Sequence, residues 1–486
     1  MSSAVRQLEP KSLWNNFANI NAIPRASKKE EEIIAYMVKF GEDLGLATMT
    51  DHIGNVIIKK PATAGMEDRK TIVLQSHLDM VHQKNNDTVF DFATEGIKMI
   101  IADDWVKADG TTLGADNGIG VATIMALLES TDIAHPQLEA LFTIDEETGM
   151  TGALELKGGL LEADIMLNLD TEDDHELTIG CAGGVDITAS GKYEEEDAPA
   201  GHTAYKITIK GLNGGHSGMD IHKGLGNANK ISNRLLFELQ KVTDIRLASV
   251  DGGSLRNAIP RESVVTLVVS PDDVQIFKAK FEELRNIINA EHSTTDSNLT
   301  IELAETEVTK VLSKPFQTQI LTAIYSTQNG IYRMSPDIDG LVQTSNNLAR
   351  VLIGEGAYQV LCLTRSSVDS EKADLVNMIS GVYNLIGAEV TTSGEYPGWT
   401  PRPQSDIVSI MADLYRKMFD GEPDVNACHA GLECGILGTN YPSMEMISFG
   451  PNIRGAHSPD EKVQISSVQK YWKYLLETLK QIPARG

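Results

Sequence analysis

Ile72-Val73-Leu74-Gln75-Ser76-His77-Leu78-Asp79 is the stretch that decides how this chain folds. It opens on a short apolar run and closes on a histidine and a carboxylate. An apolar run of that length, bounded by polar residues, reads as a buried strand. Similar runs stand at 55–58, 138–144 and 164–169, and a helix pattern lies at 119–128. Strands alternating with helices predict an α/β sheet covered on both faces. In such a sheet, ligands bind beyond the carboxyl ends of the strands. The polar residues that end each run are therefore the first place to look for chemistry.

Outward from this core, Leu13, Phe17, Ile20, Ile33, Ile34, Met37 and Phe40 recur at helical spacing, so residues 10–46 are expected to be helical. The texture changes after Gly183-Gly184. Tyr205, Ile207 and Ile209 alternate as in a half-exposed strand. A helix follows at 229–242, a strand at 263–269 and a helix at 273–290. Gly354-Glu355-Gly356 predicts a hairpin leading into a strand at 358–363. Tyr396-Pro397-Gly398-Trp399-Thr400-Pro401 marks a boundary, after which a helix (406–418), a strand (444–448) and a terminal helix (468–482) restore the α/β texture. The expected organisation is a discontinuous α/β domain (1–186 plus 399–486), a mixed sheet flanked by helices, interrupted by an α+β domain (187–398).

Composition narrows the function classes. The 486 residues carry 41% hydrophobic and 23% charged side chains, enough to bury a full core. A net charge of −26 argues against a nucleic-acid or anionic-membrane binder, which needs a basic face. Any positive field at a site must then be local, as from metal ions. Cys181, Cys362, Cys428 and Cys434 are too few for a disulfide scaffold and form no CxxC. The first 20 residues lack the apolar core of a signal peptide, and no apolar run nears the ~20 residues of a membrane span. A cytoplasmic protein is expected.

Five sets of acids and histidines share one context, each following an apolar run or opening the helix after one. They are His77 with Asp79, Asp116 in Gly114-Ala115-Asp116-Asn117-Gly118, Glu146 with Glu147, Asp170, and His457. Taken singly, each has a plainer explanation. Asp116 before a helix is more often a cap, adjacent glutamates are usually a solvated loop, and His77 could be an ordinary half-buried histidine. Together they point to metal. Carboxylates brought so close repel one another unless cations lie between them. Imidazole and carboxylate donors suit zinc, manganese or cobalt without a thiolate. Two ions sharing one carboxylate can activate a water between them. Asp79 has a second reading, as the carboxylate that orients His77. HExxH, Walker A, GxSxG and GxGxxG are absent.

His77-Leu78-Asp79-Met80, Gly114-Ala115-Asp116-Asn117-Gly118, Asp145-Glu146-Glu147-Thr148-Gly149, Asn168-Leu169-Asp170 and His457-Ser458-Pro459-Asp460 resemble the di-zinc metallopeptidases related to carboxypeptidase G, aminoacylase and peptidase T. Gly214-Gly215-His216-Ser217-Gly218 resembles the signature of that family's inserted lid. The stretches 60–66, 83–88, 180–184 and 429–435 are similar to its bacterial aminoacyl-histidine dipeptidase branch. The resemblance runs over nearly the whole chain and implies a di-zinc exopeptidase domain with an inserted lid. It implies hydrolysis of Xaa-His dipeptides such as carnosine, with N-acyl-amino-acid deacylation or desuccinylation as the alternative. A non-catalytic relative is disfavoured by the retention of Glu146 beside a full ligand set.

By that resemblance, two divalent ions, Zn2+ first and Co2+ or Mn2+ as alternatives, are held by His77 and Asp170, by Glu147 and His457, and by Asp116 between them. Asp79 orients His77, Glu146 is the general base and His216 stabilises the oxyanion. Asn257 and Arg365 are candidates for the dipeptide carboxylate. Glu433 is a candidate for its amino group, with a helix cap as the rival reading. His82, His222 and His429 are expected to be structural, and Cys181 and Cys434 to be packing residues. A small dipeptide is the expected partner, with a homodimer through the lid by family analogy. Two places depart from the pattern. Ile23-Pro24-Arg25-Ala26 stands where a His-Pro pair is usual, and Gln343 where a glutamate is usual. Neither is expected to touch a ligand.

Overall fold

A computed structural model describes residues 2–485. The chain divides into two compact units, Met1–Gly180 with Trp399–Ala427 and Leu432–Gly486, and Cys181–Gly398 with Cys428–Gly431.

The first unit is built on an eight-stranded mixed sheet. Its spatial order is Ala47–Thr50, Val56–Lys60, Leu138–Thr143, Ile72–His77, Ile165–Asn168, Glu445–Ser448, Glu176–Cys181, Asp424–Cys428. The four central strands from Leu138–Thr143 to Glu445–Ser448 run parallel, with His77 opposite Thr143 and Ser448 opposite Asn168. Ile72–His77, Leu138–Thr143 and Ile165–Asn168 are buried at every position, as strands covered on both faces must be. Their register places the carboxyl ends of all four on one edge. Helix Ala115–Glu129 is apolar all round and buried at every residue from 117 to 128, so it belongs inside the unit.

Two features differ from the expectation. The helical segment over 10–46 is two helices, Lys11–Ile20 and Glu31–Asp43. Pro24 lies between them and bars the preceding residue from helix. A four-stranded sheet also went unforeseen, with order Ile453–Arg454, Lys462–Gln464, Trp105–Ala108, Met99–Ala102. Strands of two to four residues are too short to show a period. This sheet presents the loop 455–461 as the tip of a hairpin.

The second unit carries a nine-stranded antiparallel sheet. Its path is Thr300–Glu305, Thr203–Lys210, Ser263–Val269, Ile245–Gly253, Val342–Gly354, Ala357–Ser366, Gly183–Lys192, Glu389–Tyr396, with Gly330–Met334 added on Val342–Gly354. The expected hairpin closes at Glu355-Gly356. Buried side chains of helices Ala228–Leu239, Val274–Glu291, Lys314–Ser326 and Asp369–Asn384 share one core with this sheet, as where Phe277 stacks on Tyr205 at 5.2 Å. No helix among the described residues is long and apolar enough to cross a membrane.

Candidate metal centre

Each sequence-predicted ligand of the first unit stands just past a strand end or opens a helix. His77 ends its strand, so Asp79 has already left the ladder. That explains how residues two apart can face each other. Asp79 is fully buried, with Oδ1 3.3 Å from His77 Nδ1. It accepts from Ser27 Oγ (2.7 Å) and from the amides of Glu146 (3.0 Å) and Glu147 (3.2 Å). Burial opposes its charge, but His77 and these donors outweigh it and hold the carboxyl at about 2. One carboxylate thus orients the His77 ring and the turn that carries both glutamates. With Nδ1–H turned to Asp79, the Nε2 lone pair faces the other way.

On that side lie Asp116 Oδ1 at 3.3 Å, Asp170 Oδ1 at 3.6 Å and Glu146 Oε2 at 4.0 Å. The other oxygen of Asp116 lies 3.1 Å from His457 Nε2, which is also 2.9 Å from Glu147 Oε2. Three overlapping sets of these donors could hold a cation, His77–Asp116–Asp170, Asp116–Glu147–His457 and His77–Glu146–Glu147, and Asp116 is common to the first two. Ligands ~2.0–2.2 Å from one tetrahedral ion lie about 3.3–3.5 Å apart. The His77 spacings of 3.3 and 3.6 Å lie close to this and the His457 spacings of 3.1 and 2.9 Å are somewhat shorter, while the nitrogen and carboxylate-oxygen chemistry of the sets suits a cation. Glu147 Oε1 is buried with no hydrogen-bond partner, which a cation would supply.

The electrostatics say the same. Burial works against a charged His77, yet Asp170, Asp116 and Asp79 hold its pKa well above the ordinary value. His457 is pushed up to about 11 by Asp116 and Glu147. Burial lifts Asp170 to about 6, with Asp116 and Glu147 adding to the push. Burial likewise raises Glu146 far above the carboxylate range, reinforced by Asp170, Glu433 and Glu147. Without cations this centre draws protons in their place.

Sequence reasoning missed three contributors. Glu172 sits two residues past Asp170, and burial together with Asp116 and Asp170 raises it to about 8. Glu461 is buried, and its two oxygens accept from the amides of Leu113 (2.7 Å), Gly114 (2.9 Å), Ala115 (2.7 Å) and Asp116 (3.2 Å). Its burial was the only clue, and burial is invisible in a polar loop. The third is Arg25, which touches none of the candidate metal ligands themselves. It is buried directly behind the ligand loops, donating to the carbonyls of Leu78 (2.9 Å), Asp79 (3.1 Å) and Gly114 (2.6 Å). Glu433 is no helix cap. Its Oε2 accepts from Gln75 Nε2 and Thr143 Oγ1, both at 2.6 Å, while Oε1 is buried without a hydrogen-bond partner. Burial raises it to about 7. His82 stacks on Phe92 at 4.2 Å.

The second unit holds His216, Asn257 and Arg365. His216 Nδ1 accepts from the amides of Gly218 (3.2 Å) and Met219 (3.0 Å), so the ring proton resides on Nε2. Burial and nearby Arg365 lower its pKa, which keeps the ring neutral. Arg365 is buried, donating to Tyr396 Oη (2.9 Å) and Ser217 Oγ (3.3 Å). Asn257 is exposed, and its carbonyl accepts from the amide of Ser217 (2.8 Å). His429 is buried, with Nε2 2.7 Å from Ser345 Oγ, and His222 lies in a single 3-10 turn. Gln343 donates to Glu371 at 2.6 Å. Cys181 and Cys434 are buried.

Residues 73–481 match the model of peptidase family M20/M25/M40. The chain is 44% identical over 485 residues to the cytosol non-specific dipeptidase of Escherichia coli, covering 99% of this chain and all of that one. The crystal structure of aminoacylhistidine dipeptidase from Vibrio alginolyticus superposes over the full length of both chains at 42% identity, with a TM-score of 0.94. Aminopeptidase PepT from Bacillus cereus shares the fold at 16% identity, with a TM-score of 0.57 over 98% of this chain and 99% of that one. A strand-end centre with one carboxylate divided between two imidazoles, in a chain matched along nearly its whole length, belongs to peptidase family M20/M25/M40.

Proposed function

We propose that this protein is a metal-dependent dipeptidase that hydrolyses Xaa-His dipeptides, such as carnosine, and related unblocked dipeptides. The observation that carries the reading is Asp116, whose two oxygens face different imidazoles. The full-length relatives named as dipeptidases supply the substrate class. His77, Asp116 and Asp170 would hold one divalent cation, and Asp116, Glu147 and His457 a second, with zinc the first choice and cobalt or manganese the alternatives. The chemistry such ions would supply is a lowered pKa for the attacking water and polarisation of the scissile carbonyl.

The chain's own groups do the rest. Glu146 takes a proton from the water as its oxygen bonds to the carbonyl carbon. It returns that proton to the amine as the C–N bond breaks and histidine leaves. Its raised pKa suits a group that must both accept and give back a proton. Asp79 keeps His77 and the Glu146–Glu147 turn in place. His216, neutral with its proton on Nε2, serves as the oxyanion donor. Arg365 and Asn257 take the dipeptide carboxylate, and the unpartnered oxygen of Glu433 takes the amino group. The second unit acts as the lid, and two copies pair through it. The cytosolic name of the Escherichia coli relative and the net charge of −26 favour a cytoplasmic enzyme without a nucleic-acid partner.

The test is release of histidine from L-carnosine and Ala-His, with added zinc, with added cobalt and after chelation. Metal-dependent release from either peptide is expected. No release, with both metal positions filled, would transfer the assignment to N-acyl-amino-acid deacylation.

A further inference from the structure

We propose that Arg25 and Glu461 are positioning residues for the shared carboxylate, a buried pair of opposite charges gripping the main chain of 113–116 by its carbonyl and its amides. The inference rests on the reading of Asp116 as the ligand common to two ions. Four consecutive amides converge on the Glu461 carboxylate, two on each oxygen. Gly114 makes the convergence possible. Its φ of 70° turns the chain so that neighbouring N–H groups point inward, a geometry that attracts an anion. The chain fills that cradle with its own carboxylate.

Arg25 takes hold of the same peptide from its other pole, donating to Gly114 O, and also to Asn21 Oδ1, whose side-chain amide donates to Leu113 O. A Cβ at Gly114 or Gly118 would overlap the Arg25 guanidinium, so both glycines leave room for it. The two charges then extend the grip to the other ligands. Glu461 stands four residues after His457 in one hairpin loop, so the cradle ties that loop to Asp116. Arg25 also donates to Leu78 O and Asp79 O, next to His77. Asn117 Nδ2 donates to Leu169 O at 2.6 Å, beside Asp170. Every loop that supplies a ligand beyond the Glu146–Glu147 turn is thus fastened to 113–117.

Buried charges contribute little net stability compared with apolar packing, but they fix geometry. Geometry is what a shared carboxylate needs, because one displacement of Asp116 disturbs both ions at once.

Cobalt(II) titration of the purified full-length chain tests the assignment, followed by visible absorption and by competition with a chromophoric chelator. Two equivalents are expected to bind the unaltered chain. Glu461→Gln turns an NH2 group toward main-chain donors and should weaken at least one equivalent by ~10–100-fold. Its cobalt spectrum should shift, and kcat should fall with little change in KM. Arg25→Lys keeps the charge without the fork and should shift the same quantities in the same direction. It decides the matter if Glu461→Gln does not fold. Leu479→Ala, a buried change in the terminal helix, is the control that lowers Tm and leaves both cobalt affinities unchanged. Variants at 25 and 461 that behave like this control, destabilised but with unaltered affinities and spectrum, would overturn the proposal. Failure of the unaltered chain to bind two equivalents would remove the metal reading itself, and is seen before any variant is made.

Discussion

Glu146 and Glu147 are neighbours in sequence with opposite fates. Glu147 reaches His457 and keeps a buried oxygen in need of a partner, while Glu146 lies farthest from the His77 nitrogen of the acids around it. Glu146→Gln should therefore retain two metal equivalents by elemental analysis while histidine release falls by ~10²–10⁴-fold. Asp79→Asn tests orientation. An amide still fills the space but puts a donor group among the donors of Ser27 and the Glu146–Glu147 turn, so metal affinity should fall by ~10–100-fold in a chelator competition. The acids and histidines of this centre were legible because each follows an apolar run or, like Asp116, opens a helix. Arg25, Glu172 and Glu461 were not, because what marks them is contact with main chain or charge remote in sequence. Glu461 answers amides some 345 residues away, and nothing local announces that.

Elements explain how those residues are aimed. The parallel strands bring their carboxyl ends to one edge, and the apolar runs predicted this directly. Gly114, in the left-handed conformation, is the N-cap of the helix that opens at Ala115, and Asp116 itself has non-helical backbone angles. Gly114→Ala meets two costs, the left-handed backbone and overlap with Arg25 and Met80. Gly387 has a similar φ of 75° but open space around it. Gly387→Ala should cost only the backbone term of ~1 kcal/mol, and Gly114→Ala at least ~2–3 kcal/mol, read by chemical denaturation. The break in the expected 10–46 helix and the four-stranded sheet were less legible. In the first case the apolar pattern lapses between Ile20 and Ile33, where Pro24 lies. In the second, strands of two to four residues gave periodicity nothing to act on.

At the scale of the whole molecule, the acidic centre couples folding to cations and protons. The folded-state values of Asp170 (about 6), Glu433 (about 7) and Glu172 (about 8) lie above the ordinary carboxyl range. Above the ordinary carboxyl range these three bind more protons in the folded chain than in the unfolded one, so their contribution to stability falls as pH rises. His77 acts in the same sense, since a histidine raised in the folded state stabilises below its ordinary pKa and ceases to do so above its folded one. Half-buried His82 (about 4) and buried His429 (about 3) act in the opposite sense below the ordinary histidine pKa of about 6.5. Asp79, held at about 2, contributes fully above the unfolded carboxyl value and loses that contribution progressively as pH falls toward 2. Metal-free protein should accordingly show a Tm that declines in calorimetry from about pH 6.5 to 8, above the range in which the histidines titrate when unfolded. Saturating zinc should raise Tm most at pH 8, where the carboxylates are free of protons, by RT ln(1 + [Zn]/Kd). A flat metal-free profile would count against the crowded-acid account.

The hairpin that carries His457 and Glu461 also sets a clock. Asp116 emerges 341 residues before the histidine it faces. At ~5–20 residues per second, synthesis separates them by about 20–70 s. For most of that interval the nascent chain has four of the five candidate ligands and lacks His457 and Glu461. If the centre holds two ions as proposed, completing it waits on the docking of this distant hairpin, which makes it a late event in the life of each molecule.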